Sequence, residues 1–302
     1  MSTSSVQRSG GVDRTGLDNL LSTNGHPLNG LAYSTELLGG SLLGVLTMTE
    51  GRYACFFKEY DQAVDGSIER GTNRVLLVST GSGGSRVVET GYEDLEWISF
   101  TTNSRMGYLL VREGAETKVI VFRSDVDRVF SLNTILAPNA NTGSGESVVF
   151  DRGISVVGNY LVVAGEASNG LFLARQPLVS SSGTTQWEFY SGSTFQSHGQ
   201  GVTPQAAWGG SLSVEGVVTL VELRGTVYLI EWAEGEATIY DFNGGVWTQH
   251  KRESLGPSDP LGVCVLEGVP AYSESGVQYT LPVVFSKESS PIEQEWVKLS
   301  IG

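Results

Sequence analysis

Five positions along this 302-residue chain could meet in one polar site: Glu36, Asp94, Asp151, Trp208 and Asp259. Each stands at the start of an apolar run that precedes a tyrosine-bearing run. Two carboxylates flanking a bound sugar can cleave a glycosidic bond, one protonated as general acid and the other ionised. Asp94 with Asp151, or either with Glu36, could supply that pair. Aspartate at a strand start also has a plainer use, accepting hydrogen bonds from loop amides, and Asp151 has Arg152 beside it as a partner. The plainer use weighs more. The five residues are therefore read as a binding surface, with catalysis by Asp94 and Asp151 as the alternative.

The remaining reactive groups say less. The six tryptophans (97, 187, 208, 232, 247 and 296) could stack on sugar rings, but most sit in apolar alternation and read as core. Trp208, between Ala207 and Gly209, is the one best suited to exposure. His26, His198 and His250 fall in loops or strand ends far apart, and read as solvated rather than as triad members. Asp125 and Asp127 read as a turn, because calcium needs six or more oxygens and no acidic loop surrounds them. Cys55 and Cys264 lie among apolar neighbours and read as two buried thiols rather than a disulfide. No nucleophile elbow, phosphate loop, dinucleotide fingerprint or zinc-binding helix is present. No cofactor and no metal are expected.

Any site must be built on short strands. Residues 97–102, 108–112 and 118–122 form one apolar triplet; 160–164 and 171–175 form a pair; 227–232, 237–242 and 246–249 form another triplet. Their connections carry Asn103-Ser104, Gly114, Asn169-Gly170, Gly235 and Asn243-Gly244, the chemistry of tight antiparallel hairpins. A glycine followed closely by tyrosine recurs five times, at Tyr53, Tyr108, Tyr160, Tyr228 and Tyr279, with intervals of 55, 52, 68 and 51 residues. The long interval is assigned to loops at 180–183 and 191–200. Five units of about this size predict an all-β, five-bladed β-propeller of four-stranded antiparallel meanders over 28–302. Residues 1–27 are polar and Gly/Ser-rich, and read as an arm that orders only against a neighbour.

Composition narrows the function. With 40% hydrophobic and only 17% charged residues, the chain can build a core and is neither disordered nor a coiled coil. A net charge of -14 repels phosphate backbones, so nucleic acid is not an expected partner. The most apolar region, 37–46, is interrupted by Gly39, Gly40, Ser41 and Gly44, so membrane insertion is not expected either. The N-terminus has no apolar signal core, which predicts folding in a cytoplasm.

Residues 151–165 (DRGISVVGNYLVVAG), 170–178 (GLFLARQPL) and 186–192 (QWEFYSG) carry a resemblance. They are similar to a recurrent block, a strand followed by YLAR-P-L and then W-E-Y-W-G, of a family of five-bladed propellers. That family comprises actinobacterial secreted proteins and minor tail proteins of actinobacteriophages, distantly akin to five-bladed glycosidases. The resemblance is strong over about forty residues. It implies a structural component of a phage tail, located in the virion after folding in the host cytoplasm. Its partners would be other tail proteins and a host envelope glycan. The alternatives are a secreted protein, a lectin, or a glycosidase-like enzyme acting on cell-wall polysaccharide. The glycosidase relatives place a glutamate general acid in a later blade, where this chain has Trp208 and Gly209, which weighs against hydrolysis.

Overall fold

The computed structural model describes residues 40–48, 52–62, 68–79, 85–125, 128–168, 170–178, 187–192, 194–197, 216–223, 225–233, 235–243, 246–254, 260–265, 269–273, 276–287 and 293–301. The arm 1–27, and with it Glu36, Trp208 and Asp259, lies outside the described residues.

Every described element is a strand or a connection between strands, and every pairing is antiparallel. The first sheet holds β1 (Gly40–Thr47), β2 (Arg52–Gln62), β3 (Ile68–Arg70), β4 (Arg74–Ser79) and β5 (Ser85–Val88), in the order β1-β2-β4-β5, with β3 on the far end of β2. The second is the meander β6 (Glu96–Asn103), β7 (Met106–Glu113), β8 (Glu116–Ser124) and β9 (Val129–Leu136). The third runs β10 (Ala140–Asn141), β11 (Ser147–Val157), β12 (Tyr160–Ala167), β13 (Gly170–Pro177), β14 (Glu188–Tyr190) and β15 (Phe195–Ser197). The fourth is β16 (Val217–Leu223), β17 (Thr226–Ala233), β18 (Glu236–Asn243) and β19 (Val246–Ser254). The fifth holds β20 (Pro260–Val265), β21 (Val269–Ser273), β22 (Gly276–Lys287) and β23 (Glu293–Ile301). The tight turns fall where the sequence asked for them. Gly114 and Gly235 take φ of +62° and +73° between the central hairpins of the second and fourth sheets.

The sheets pack face to face around a common axis, as in a β-propeller. β1 touches β6, β6 touches β11, β11 touches β16, and β20 touches both β17 and β1. The core follows the same order. Five buried clusters lie between the first and second, second and third, third and fourth, and fourth and fifth sheets, and finally between the first sheet and Cys264 of the fifth. Alternation along a strand divides its side chains between two neighbours. On β7, Tyr108 and Leu110 join the cluster facing the third sheet, while Leu109 and Val111 join the one facing the first. A strand covered on both faces reads as a continuous apolar run, which is why 108–111 shows no polar alternation. The five tyrosines of the sequence rhythm all fall on corresponding strands, β2, β7, β12, β17 and β22, each next to the strand nearest the axis.

Three sheets depart from the expected four-stranded meander. The first gains β3, because β2 runs past its partner β1 and leaves residues 60–62 to pair with 68–70. In the third, part of the expected 191–200 loop is β15, which forms a tight hairpin with β14 closed by Ser191 N–H donating to Thr194 O at 2.8 Å. In the fifth, β20 and β21 lie end to end along one edge of the long β22, with β23 on the other. Asp125 sits in a connection, where its N–H donates to Arg128 O at 2.9 Å. Asp127 lies outside the described residues.

The strands nearest the axis bear a polar device that the sequence reading did not single out. Ser99 Oγ on β6 accepts from Ile154 N–H of β11 at 3.4 Å, and Thr101 Oγ1 accepts from Val156 N–H at 3.2 Å. Ser155 Oγ on β11 in turn accepts from Leu220 N–H of β16 at 2.8 Å. The innermost edges of the third and fourth sheets would otherwise leave these amides unpaired, and hydroxyls of the preceding sheet take them up. Ser155→Ala leaves the Leu220 amide buried without a partner. It is expected to lower unfolding stability by about 1–3 kcal/mol, measured by urea denaturation.

Candidate functional site

An open depression of about 640 Å³ lies at the end of the ring where the innermost strands begin, between the second and third sheets. It is built from four strands: Arg112 lies next to the end of β7, Asp151 and Arg152 lie at the middle of β11, Glu166 lies near the end of β12, and Gly170 opens β13. The pairing of β11 with β12 shifts register between Val149 and Gly153. That irregularity sits at Asp151 and Arg152, and such shifts re-aim side chains.

The charges form an alternating ladder. Glu96 Oε2 lies 3.6 Å from Arg112 Nη1, and the other Arg112 nitrogen pairs with Asp151 Oδ2. Asp151 Oδ1 lies 3.8 Å from Arg152 Nε, which donates to Glu166 Oε2 at 2.9 Å. Strand register brings these groups together, since Glu96 faces Arg112 across β6 and β7. Glu146 adds an acceptor on the rim, where Ser168 donates to it through both Oγ and N–H. Those two bonds, the hydroxyl first, hold the Glu146 carboxyl below the usual range. The side chain of Asp151 is only 10% exposed, whereas both arginines remain about a third exposed and reachable from solvent.

Of the five positions predicted from sequence, Asp151 lines this depression. Asp94 is exposed in the turn before β6 and does not line it. In that turn, Glu93 rather than Asp94 receives the Thr90 hydroxyl at 3.0 Å and the Gly91 amide at 3.1 Å. Asp94 thus does not share the depression with Asp151. Instead, the Asp151 carboxylate lies between two guanidinium groups, paired with Arg112 and 3.8 Å from Arg152 Nε. Sequence reasoning missed Arg112, Glu166 and Glu146. Counting outward from the hairpin at Asn103–Met106 puts Arg112 opposite Trp97, and it is the register shift between Trp97 and Ser99 that brings Arg112 opposite Glu96.

The comparisons with known proteins bear on the chain path alone. No protein-family model matches the sequence, and no curated protein matches it. Among solved structures, the chain is similar to the allergen Mala s 1 of Malassezia sympodialis, with a TM-score of 0.45 and 10% identity over 86% of this chain and 92% of that one. It is also similar to an endo-arabinase of Bacteroides thetaiotaomicron (TM-score 0.42, 13% identity, 88% and 96% of the two chains). A third likeness is to a putative glucose dehydrogenase of Thermus thermophilus (TM-score 0.40, 10% identity, 86% and 96%). At these identities no residue role passes from those proteins to this chain.

The other candidate groups have structural surroundings. Trp97, Trp187, Trp232 and Trp247 are all buried in the inter-sheet clusters, as their alternation predicted. His250 is exposed on β19, its ring edge-on to Tyr228 at 5.9 Å. Among the described residues no group of three or more His, Cys, Asp or Glu is placed to hold a metal ion. No helix among them is long and apolar enough to cross a membrane.

Proposed function

We propose that the chain is a non-catalytic, five-bladed binding propeller of a bacteriophage tail, a minor tail protein whose mouth contacts a host envelope glycan. The ladder Glu96–Arg112–Asp151–Arg152–Glu166 carries this reading. It offers guanidinium donors and carboxylate acceptors alternately along a shallow, solvent-open floor, which suits the paired hydroxyls of a sugar chain. Its members hold one another in place, so the site is organised before a ligand arrives. On this reading each of the five described sheets is one blade, and the block that resembles phage tail propellers contributes β11 to β14 of the third sheet. Residues 1–27 dock on a neighbouring tail protein. Affinity for the envelope then comes from several copies acting together, since weak sites multiply through effective concentration.

Calorimetric titration with soluble fragments of actinobacterial envelope polysaccharide tests the site. Saturable binding is expected, weakened at least about tenfold by Arg112→Ala, the loss of one charge-assisted contact. Equal affinity in the wild type and a folded Arg112→Ala protein would remove the ladder from the binding surface.

A further inference from the structure

Cys55 on β2 and Cys264 on β20, the two cysteines of the chain, stand 209 positions apart (264 − 55) yet share one core cluster. Among the described residues, every other member of that cluster belongs to the first sheet. Cys264 is therefore, among the described residues, the side chain that the fifth sheet places in the seam where the ring closes. Cys55 pairs with Val45 of β1, and β1 packs directly against β20. Both thiols are free, at 0% and 1% exposure, among Leu42, Val45, Phe57 and Leu76. Burial raises both thiol pKa values, that of Cys264 to about 12, and a negative charge on Cys264 would raise Cys55 further.

This seam differs from the other four. Between successive sheets the chain itself passes from one to the next, whereas among the described residues the first and fifth sheets are joined by packing alone. A covalent link gains most where the loop it closes is longest.

We infer that Cys55 and Cys264 form a redox fastener, a thiol pair that a small-molecule disulfide converts into a cross-link tying the first sheet to the fifth. One cysteine thiolate attacks a sulfur of the small disulfide, expelling one small thiolate and leaving a mixed disulfide. The second cysteine thiolate then attacks the protein-side sulfur of that intermediate and expels the other half. The protein loses two electrons and two protons, the small disulfide gains them, and two small thiols are released. Full burial restricts the exchange to moments when the seam opens, so the link locks a ring that has already formed.

Full-length native protein incubated with oxidised glutathione at about pH 8.5, then alkylated, tests the pair. The expected product is monomeric and lighter by about 2 Da, the two hydrogens lost. Its protease digest contains one peptide pair joined through Cys55 and Cys264. Its Tm is higher by about 5–10 °C and returns on reduction with dithiothreitol. Cys264→Ser is expected to give no such product, and should that variant not fold, the peptide map of the wild type decides. Recovery of both thiols unreacted, separate glutathione adducts on each, or a cross-linked form with unchanged or lower Tm would overturn the inference.

Discussion

Gly153→Ala is expected to unfold or nearly unfold the domain, with a loss on the order of 4 kcal/mol or more in urea denaturation. A β-carbon on Gly153 would lie 1.9 Å from Val218 O and 2.9 Å from its carbonyl carbon, so the obstacle is backbone rather than a movable side chain. The contact joins β11 to β16, the strands nearest the axis in the third and fourth sheets, so no local rotamer change relieves it. The sheets would have to separate, breaking the bond from Leu220 N–H to Ser155 two residues further along each strand. Were the strands arranged as two stacked sheets, Gly153 would have no such neighbour. The substitution would then stabilise by roughly 0.5–1 kcal/mol, as at an ordinary strand position.

Trp97→Ala is expected to cost about 3–5 kcal/mol, with a matching fall in the urea midpoint. The indole is completely buried between the first and second sheets, with its ring centroid 6.0 Å from that of Phe56. Its Nε1–H donates to Tyr92 O at 2.8 Å, which anchors the turn leading into β6. Truncation leaves a cavity and also removes one of the two donors to that carbonyl, the Leu95 amide at 3.2 Å being the other. Trp97→Phe refills most of the volume but not the bond, so its difference from the wild type isolates the hydrogen bond, expected near 1 kcal/mol, while the difference between the two variants isolates the packing.

The architecture was legible because hairpin chemistry and burial both leave local marks. Asn103-Ser104, Gly114 and Gly235 announced their turns, and the spacing of Tyr53, Tyr108, Tyr160, Tyr228 and Tyr279 exposed the repeat of sheets. Sheet width was less legible. β3 and β15 are three-residue strands, too short for alternation to distinguish them from loop. The candidate site was legible only at Asp151. Attention to strand starts favoured one residue per sheet, whereas the ladder is assembled from the start of one strand, the middle of another and the ends of others. Arg112 and Glu166 reach Asp151 and Arg152 through cross-strand register and packing between sheets, which sequence spacing does not display directly. The hydroxyls of Ser99, Ser155 and Thr219 did leave a signal, a small polar residue inside each innermost apolar run. Ser99 and Ser155 bind amides of the next sheet, and Thr219 receives the Trp232 indole N–H at 3.1 Å.

The most direct test of binding without hydrolysis uses one sample of native protein incubated with insoluble actinobacterial envelope polysaccharide. The pellet is assayed for bound protein and the supernatant for new reducing ends. The predicted result is protein retained in the pellet, with reducing ends no higher than in polysaccharide alone. Reducing ends that rise with time, and that vanish with Asp151→Asn, would contradict it and make the depression an active site.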